Sequence, residues 1–171
     1  MRNLFASVTF AALVALILPG CGYRLGPTDG QAAGSHSITL APVVNRTLEA
    51  GVSDALAQSL RQNLQRDGTY KLDTKNQGDV LVQTTVTAFN RAGVSYKTDD
   101  VTSVQDYRLT LTAHVQAKER STGKVILDRT VTGFTLVRVA GDLTESERQA
   151  LPLATQDLAQ NITTLLVDGK W

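Results

Sequence analysis

Cysteine is all but missing from this chain: one stands among 171 residues, at position 21. A disulfide framework is therefore excluded, and two histidines without further ligands do not make a structural zinc site. An excess of charge of one sign is missing as well, since 17 Lys and Arg face 16 Asp and Glu. That balance supplies no long-range field for nucleic acid or for an acidic membrane surface. No Gly-rich phosphate loop leads from a strand into a helix, and no nucleophile elbow is present. Long apolar runs are confined to one place, the amino terminus.

There Arg2 precedes an almost unbroken apolar run from Leu4 to Leu18, which closes on Leu18-Pro19-Gly20-Cys21. A basic start, an apolar stretch too short for a comfortable span and a small residue at the cut describe a secretory signal peptide. Leu18 and Gly20 ahead of the lone cysteine resemble the bacterial lipobox, with Pro19 where Ala or Ser is more usual. On that resemblance residues 1–20 are removed and Cys21, acylated, becomes the first residue of a lipoprotein. The alternative is an ordinary secreted protein with an incidental cysteine, but a free thiol in an oxidising compartment is a liability that acylation removes. Two or three acyl chains, at about 0.8 kcal/mol per buried methylene, hold a protein at a membrane for good. The chain is expected to be anchored rather than to span.

Cutting 20 of the 171 residues leaves 151, a length that suits one domain. Arg2 leaves with them, so cations and anions stand at 16 each. Residues 21–36 are rich in Gly, with Pro27, Asp29 and Ser35, and read as a short tether reaching roughly 20 Å. Within it Tyr23-Arg24-Leu25 is either a docking element or loosely held linker. Residues 37–171 form the expected single domain.

That domain opens with a short strand over Ser37–Val44, Pro42 marking an edge or terminal position. Asn45-Arg46-Thr47 is turn chemistry. Val52, Leu56, Leu60 and Leu64 then repeat every four residues, an amphipathic helix stopped by Asp67-Gly68. Tyr70-Lys71-Leu72 reads as a short strand parallel to the first. From Asp79 to Phe89 Val80, Val82, Val86 and Ala88 share one face of a half-buried strand, and Asn90–Ser103 reads as a loop. Tyr107 to Lys118 alternates apolar and polar without a miss, an antiparallel strand with one face on the core and one open. Ser121-Thr122-Gly123-Lys124 turns it into a second arm over Val125–Val137. In that arm Ile126, Phe134 and Leu136 run out of phase with Val125, Leu127 and Val131, so either a bulge near Gly133 shifts the register or both faces are partly covered. Thr144 and Glu147 fit a capping box for a last helix, with a break or kink expected at Leu151 ahead of Pro152. Its stripe is Ala154, Leu158, Ile162, Leu165 and Leu166. The expected fold is α+β: a mixed, mostly antiparallel sheet of about four strands with two amphipathic helices packed on one face.

Chemistry-bearing residues are scattered. His36 falls in the tether or at a strand edge, and His114 lies mid-strand between Thr112 and Gln116, without a nucleophile or carboxylate at a workable spacing. Asp99, Asp100 and Asp106 lack the patterned oxygen ligands of a cation loop. No cofactor or metal is implied, and the reading is of a protein that is not an enzyme. Basic residues form the one suggestive set. Arg91 and Lys97 flank the loop, Arg108 and Lys118 sit on the open face of the alternating strand, and Arg129 and Arg138 on its hairpin partner. As a set on one sheet face, Arg108, Lys118 and Arg129 are candidates to grip phosphates.

In order and spacing the mature chain resembles the outer-membrane lipopolysaccharide-assembly lipoproteins, the LptE family. The resemblance is carried by Cys21-Gly22-Tyr23-Arg24-Leu25, Ile38 to Asn45 ahead of a helix, the strand Tyr107–Ala117, the turn Thr122-Gly123-Lys124-Val125-Ile126-Leu127, and the closing helix that ends near Trp171. What it implies is a non-catalytic plug seated in a large outer-membrane β-barrel, the LptD translocon, which it helps to fold. It implies too that lipopolysaccharide is bound, and that the protein sits lipid-anchored at the periplasmic face of the outer membrane. Gly22 fits outer-membrane sorting, since aspartate in that place is the familiar signal for retention in the inner membrane. The alternative is a membrane-anchored periplasmic adaptor that regulates another envelope protein. The short tether favours a partner close to the membrane.

Overall fold

The Val52–Leu64 stripe forms helix α1, Val52–Asp67, in a computed structural model that describes residues 34–98, 100, 102–139 and 141–168. The expected signal peptide, Cys21, residues 22–33 of the expected tether, Asp99 and Trp171 lie outside the described residues. Val52, Leu56, Leu60 and Leu64 are buried along one side of α1, and Gly68 ends it in the left-handed region, its N–H donating to the Leu64 carbonyl.

Six strands surround this helix in sequence: β1 His36–Leu40, β2 Val44–Asn45, β3 Tyr70–Leu72, β4 Val80–Tyr96, β5 Val104–Glu119 and β6 Val125–Arg138, followed by helix α2, Leu143–Asp168. The order across the sheet is β3-β1-β4-β5-β6, with β2 also on β4. β1 is parallel to both β3 and β4, and β4, β5 and β6 form a long antiparallel meander. The α+β class is as expected, with more than four strands; the expected strand over Ser37–Val44 divides around Pro42 into β1 and β2, and Tyr70–Leu72 forms β3 as expected.

Both helices lie on one face. Leu158, Ala159, Ile162 and Leu166 of α2 join the α1 stripe, Ile38 and the inward residues of β4 and β5 in one buried cluster. Each large aliphatic side chain taken out of water there contributes roughly 1.5–3 kcal/mol. At Gly133 of β6 the helix comes in close: an added Cβ would fall 2.3 Å from the backbone nitrogen of Leu158.

Several local expectations are corrected. β4 continues through Asn90–Tyr96, paired with β5 from Thr110 back to Val104, so the loop shrinks to the residues between Tyr96 and Val104. Backbone pairing with β5 holds this stretch although it carries few apolar residues. A register shift between Val86 and Ala88 turns Ala88 to the open face and Phe89 to the helices, reversing the simple alternation. The bulge in β6 lies at Ile126, between Val125 and Leu127, and not near Gly133. From Leu127 onward the alternation is regular, and Phe134 and Leu136 are half-exposed on the open face.

Helix α2 runs on through Pro152 without a break. Pro152 is exposed, so the carbonyl it cannot serve faces water, and the Thr155 hydroxyl bonds the Pro152 carbonyl at 2.8 Å. Asp142 starts the helix, its carboxylate accepting from the Thr144 N–H at 3.0 Å. The expected Thr144–Glu147 box does not form, because Glu147 turns to Arg91, 2.8 Å from its Nε.

Candidate functional site

The strands β4, β5 and β6 are long enough to extend as one surface, and the helices cover only one side of it. Antiparallel register sets residues of like orientation opposite one another. On the uncovered side the rows read Gln83, Gln116, Asp128; then Thr85, His114, Thr130; then Ala88, Thr112, Thr132. Further along stand Asn90, Thr110, Phe134 and finally Ala92, Arg108, Leu136. The middle of the face is thus a field of hydroxyls and amides, and both ends combine apolar groups with a cation, since Lys118 stands between Leu81 and Val125 at the near end.

Arg108 and Lys118 both lie on this face, as expected. They stand ten residues apart on one strand, roughly 33 Å at the usual rise. Arg108 is stacked on the ring of Phe134, 5.0 Å from its centroid. Arg129 is opposite Val115, a buried residue, and therefore belongs to the helix side. The three cations are not one set on one face. The alternation of β6 beyond its bulge at Ile126 puts Arg129 in phase with Leu127 and Val131.

Other charges on the open face are already paired. His114 Nε2 is 2.7 Å from Asp128 Oδ1, and Gln116 donates to Asp128 Oδ2 at 2.8 Å. The Gln116 amide, then His114, holds the Asp128 carboxyl below its ordinary value. Arg138 Nε donates to Asp106 at 2.9 Å, and Ser95 donates to the same carboxylate. Arg138 first, then Ser95, keeps Asp106 low. Asp100 is pushed down to about 2 by the hydroxyls of Ser103 and Thr102. Asp100 and Asp106 thus serve different local partners. Among the described residues no group of three or more His, Cys, Asp or Glu is placed to hold a metal ion. Nor is any described helix long and apolar enough to cross a membrane.

Arg91 leaves the open face altogether. It lies on the helix side of β4, 2.8 Å from Glu147 and 3.5 Å from Glu49, and 5.7 Å over the Phe89 ring. Sequence reasoning missed the exposed pair Phe134 and Leu136 beside Arg108; their phase against Leu127 and Val131 was the available signal.

The model of the LptE family, described as lipopolysaccharide-assembly, matches residues 35–166. No curated protein matches the chain. Among solved structures, a Xanthomonas campestris protein is similar over 85% of this chain and 91% of its own, at 14% identity and a TM-score of 0.62. Protein CT253 of Chlamydia trachomatis matches over 81% and 98%, at 10% identity and TM-score 0.58. A minor lipoprotein of Acinetobacter baumannii matches over 78% and 93%, at 20% identity and TM-score 0.54. At such identities the likeness is one of fold.

Proposed function

Because the chain belongs to the LptE lipopolysaccharide-assembly family, we propose that it is a lipoprotein held through Cys21 at the periplasmic face of the outer membrane, where it plugs and helps assemble the β-barrel translocon LptD. In this reading it assists lipopolysaccharide insertion at the cell surface and performs no covalent chemistry. The observation that carries it is the open face of β4, β5 and β6: a broad, hydrogen-bonding surface that no described element of the chain covers. A barrel lumen is polar, so a plug must present donors and acceptors rather than an apolar patch. The Acinetobacter relative of like fold is itself described as a lipoprotein.

For lipopolysaccharide, Arg108 is the favoured contact, its guanidinium and the Phe134 ring offering a phosphate partner beside an apolar one. Lys118 acts at a separate place on the same face, and Arg129 on the other side of the sheet. Capture of the lipidated protein from detergent-solubilised envelope tests the first part. An outer-membrane barrel should be recovered, and recovery of soluble periplasmic proteins alone overturns the reading. For the second part, Arg108→Glu should weaken lipopolysaccharide binding more than Arg129→Glu; equal loss or no loss removes Arg108 from that role.

A further inference from the structure

One side of β4 is only partly paired. β1 takes Val80–Val82 and β2 takes Thr85 and Val86, ending where Arg46 N–H bonds the Val86 carbonyl. Beyond that no described element pairs with this side of β4. Alternation identifies the groups left over. Val86 C=O points outward and one extra residue is inserted at Thr87, so Ala88, Asn90 and Ala92 bond to β5 while Phe89, Arg91 and Gly93 turn N–H and C=O outward. The far edge agrees in phase, since Thr132 C=O and Phe134 N–H, in the rows of Ala88 and Asn90, also face away from β5.

The two edges differ in protection. On β6, Asp157 accepts from the Phe134 N–H at 2.8 Å and the Asn161 amide donates to the Thr132 carbonyl at 2.9 Å, so α2 occupies the groups that would template another strand. No described side chain does this for Phe89, Arg91 or Gly93. Instead an open groove of about 570 Å³ lies beside Phe89 and Arg91, lined by Thr47, Leu48, Glu49 and residues 87–91 and ending short of Gly93. Consecutive strand residues point to opposite faces, so a groove touching five in a row lies against the backbone edge itself.

Its other wall is preformed. The Asn45 carboxamide accepts from Thr47 N–H and Thr47 hydroxyl and donates to the Glu49 carbonyl, at 2.9, 2.7 and 2.8 Å. That turn carries Leu48 with its side chain wholly exposed. The Glu49–Arg91 ion pair ties turn to strand and keeps the guanidinium on the helix side.

We infer that the Phe89–Gly93 edge of β4 accepts an extended segment of the barrel partner as an added β-strand. Main-chain groups of Phe89, Arg91 and Gly93 supply the hydrogen bonds, and an apolar side chain of the segment packs on Leu48 and Phe89. Outward N–H and C=O groups recurring every second residue match extended polypeptide, which neither an acyl chain nor a sugar reproduces. The inference rests on the barrel-plug reading.

The test uses full-length lipidated protein and the barrel recovered with it. Proline is tolerated in an edge strand where the N–H points outward, so Arg91→Pro should fold while blocking strand addition. Barrel recovery should fall about tenfold or more for Arg91→Pro and stay within about twofold for Arg91→Ala, which keeps the N–H, and for Thr130→Pro on the β6 edge. Amide exchange on the wild-type complex decides the matter if Arg91→Pro does not fold. Phe89, Arg91 and Gly93 amides should slow about 100-fold on barrel binding. Unchanged exchange with the barrel bound overturns the edge inference and leaves the plug reading standing. Failure to recover any barrel with the wild type overturns both. Slow exchange at these amides without barrel, together with a dimer in solution, assigns the edge to a second copy and also overturns the inference.

Discussion

On the helix side of β5, Leu109, Leu111, Ala113, Val115 and Ala117 are fully buried, while Thr110, Thr112, His114 and Gln116 on the other side stay partly open to water. The same strands make both surfaces, and the helices alone decide which is core. Gly133 is buried without any side chain because α2 rests on it, whereas Phe134, the next residue, is half-exposed despite its large ring. Burial on this sheet therefore follows coverage more closely than hydrophobicity. One side is a problem of volume and the other of hydrogen-bonding capacity.

The sharpest way to break the contrast is to put volume where there is none. Gly133→Val should cost at least about 3 kcal/mol or abolish folding, read from urea or thermal unfolding, since its Cβ meets the backbone of Leu158. A cost under about 1 kcal/mol shows that α2 does not rest on β6 as described. Next comes Leu158→Ala, which empties a wholly buried site and should cost about 3 kcal/mol.

Acid should strike the uncovered parts. Asp73 is held low first by the Gln77 N–H, Asp79 first by the Ser37 N–H, and Asp106 and Asp128 by their partners on the open face. Their folded values lie below the unfolded one, so the folded chain binds fewer protons. The stability they contribute is complete above roughly pH 4 and is lost as pH falls through the folded values, toward about 2 at Asp100. Thermal midpoints measured from pH 7 to pH 2 should fall in that window, and Asp73→Asn should flatten the fall; a flat wild-type profile contradicts it. Smallest of all, Thr132→Ala and Leu136→Ser on the open face should shift stability by no more than about 0.5 kcal/mol, because neither residue is buried. A larger loss would mean that this face is covered within the chain.

Much of this was readable in advance, and the exceptions share a cause. The β5 alternation and the α1 stripe with its Gly68 stop are local patterns, and they formed where their periods placed them. The second half of β4 was invisible because Asn90–Tyr96 is kept extended by β5 on one side, whatever its own composition. The register shift at Thr87 moved Ala88 and Phe89 to faces that simple alternation does not assign, and the one at Ile126 put Val125 on the open face, apart from Leu127 and Val131. Glu147 is claimed by Arg91, 56 positions earlier in the chain, which no capping rule foresees. Of the candidate cations, Arg108 and Lys118 share a face and Arg129 does not; the proposed lipid anchor at Cys21 rests on sequence alone.

Local sequence determined the amphipathic stripes, the α1 stop at Gly68 and the alternation of β5, because each depends on residues within a few positions of one another. Tertiary structure decided which edge of the sheet α2 would cap, which strand would be left with outward amides, and which cations would share a face. Those outcomes depend on bulges and on helix contacts between residues far apart in the chain, and a single inserted residue reverses every side chain beyond it.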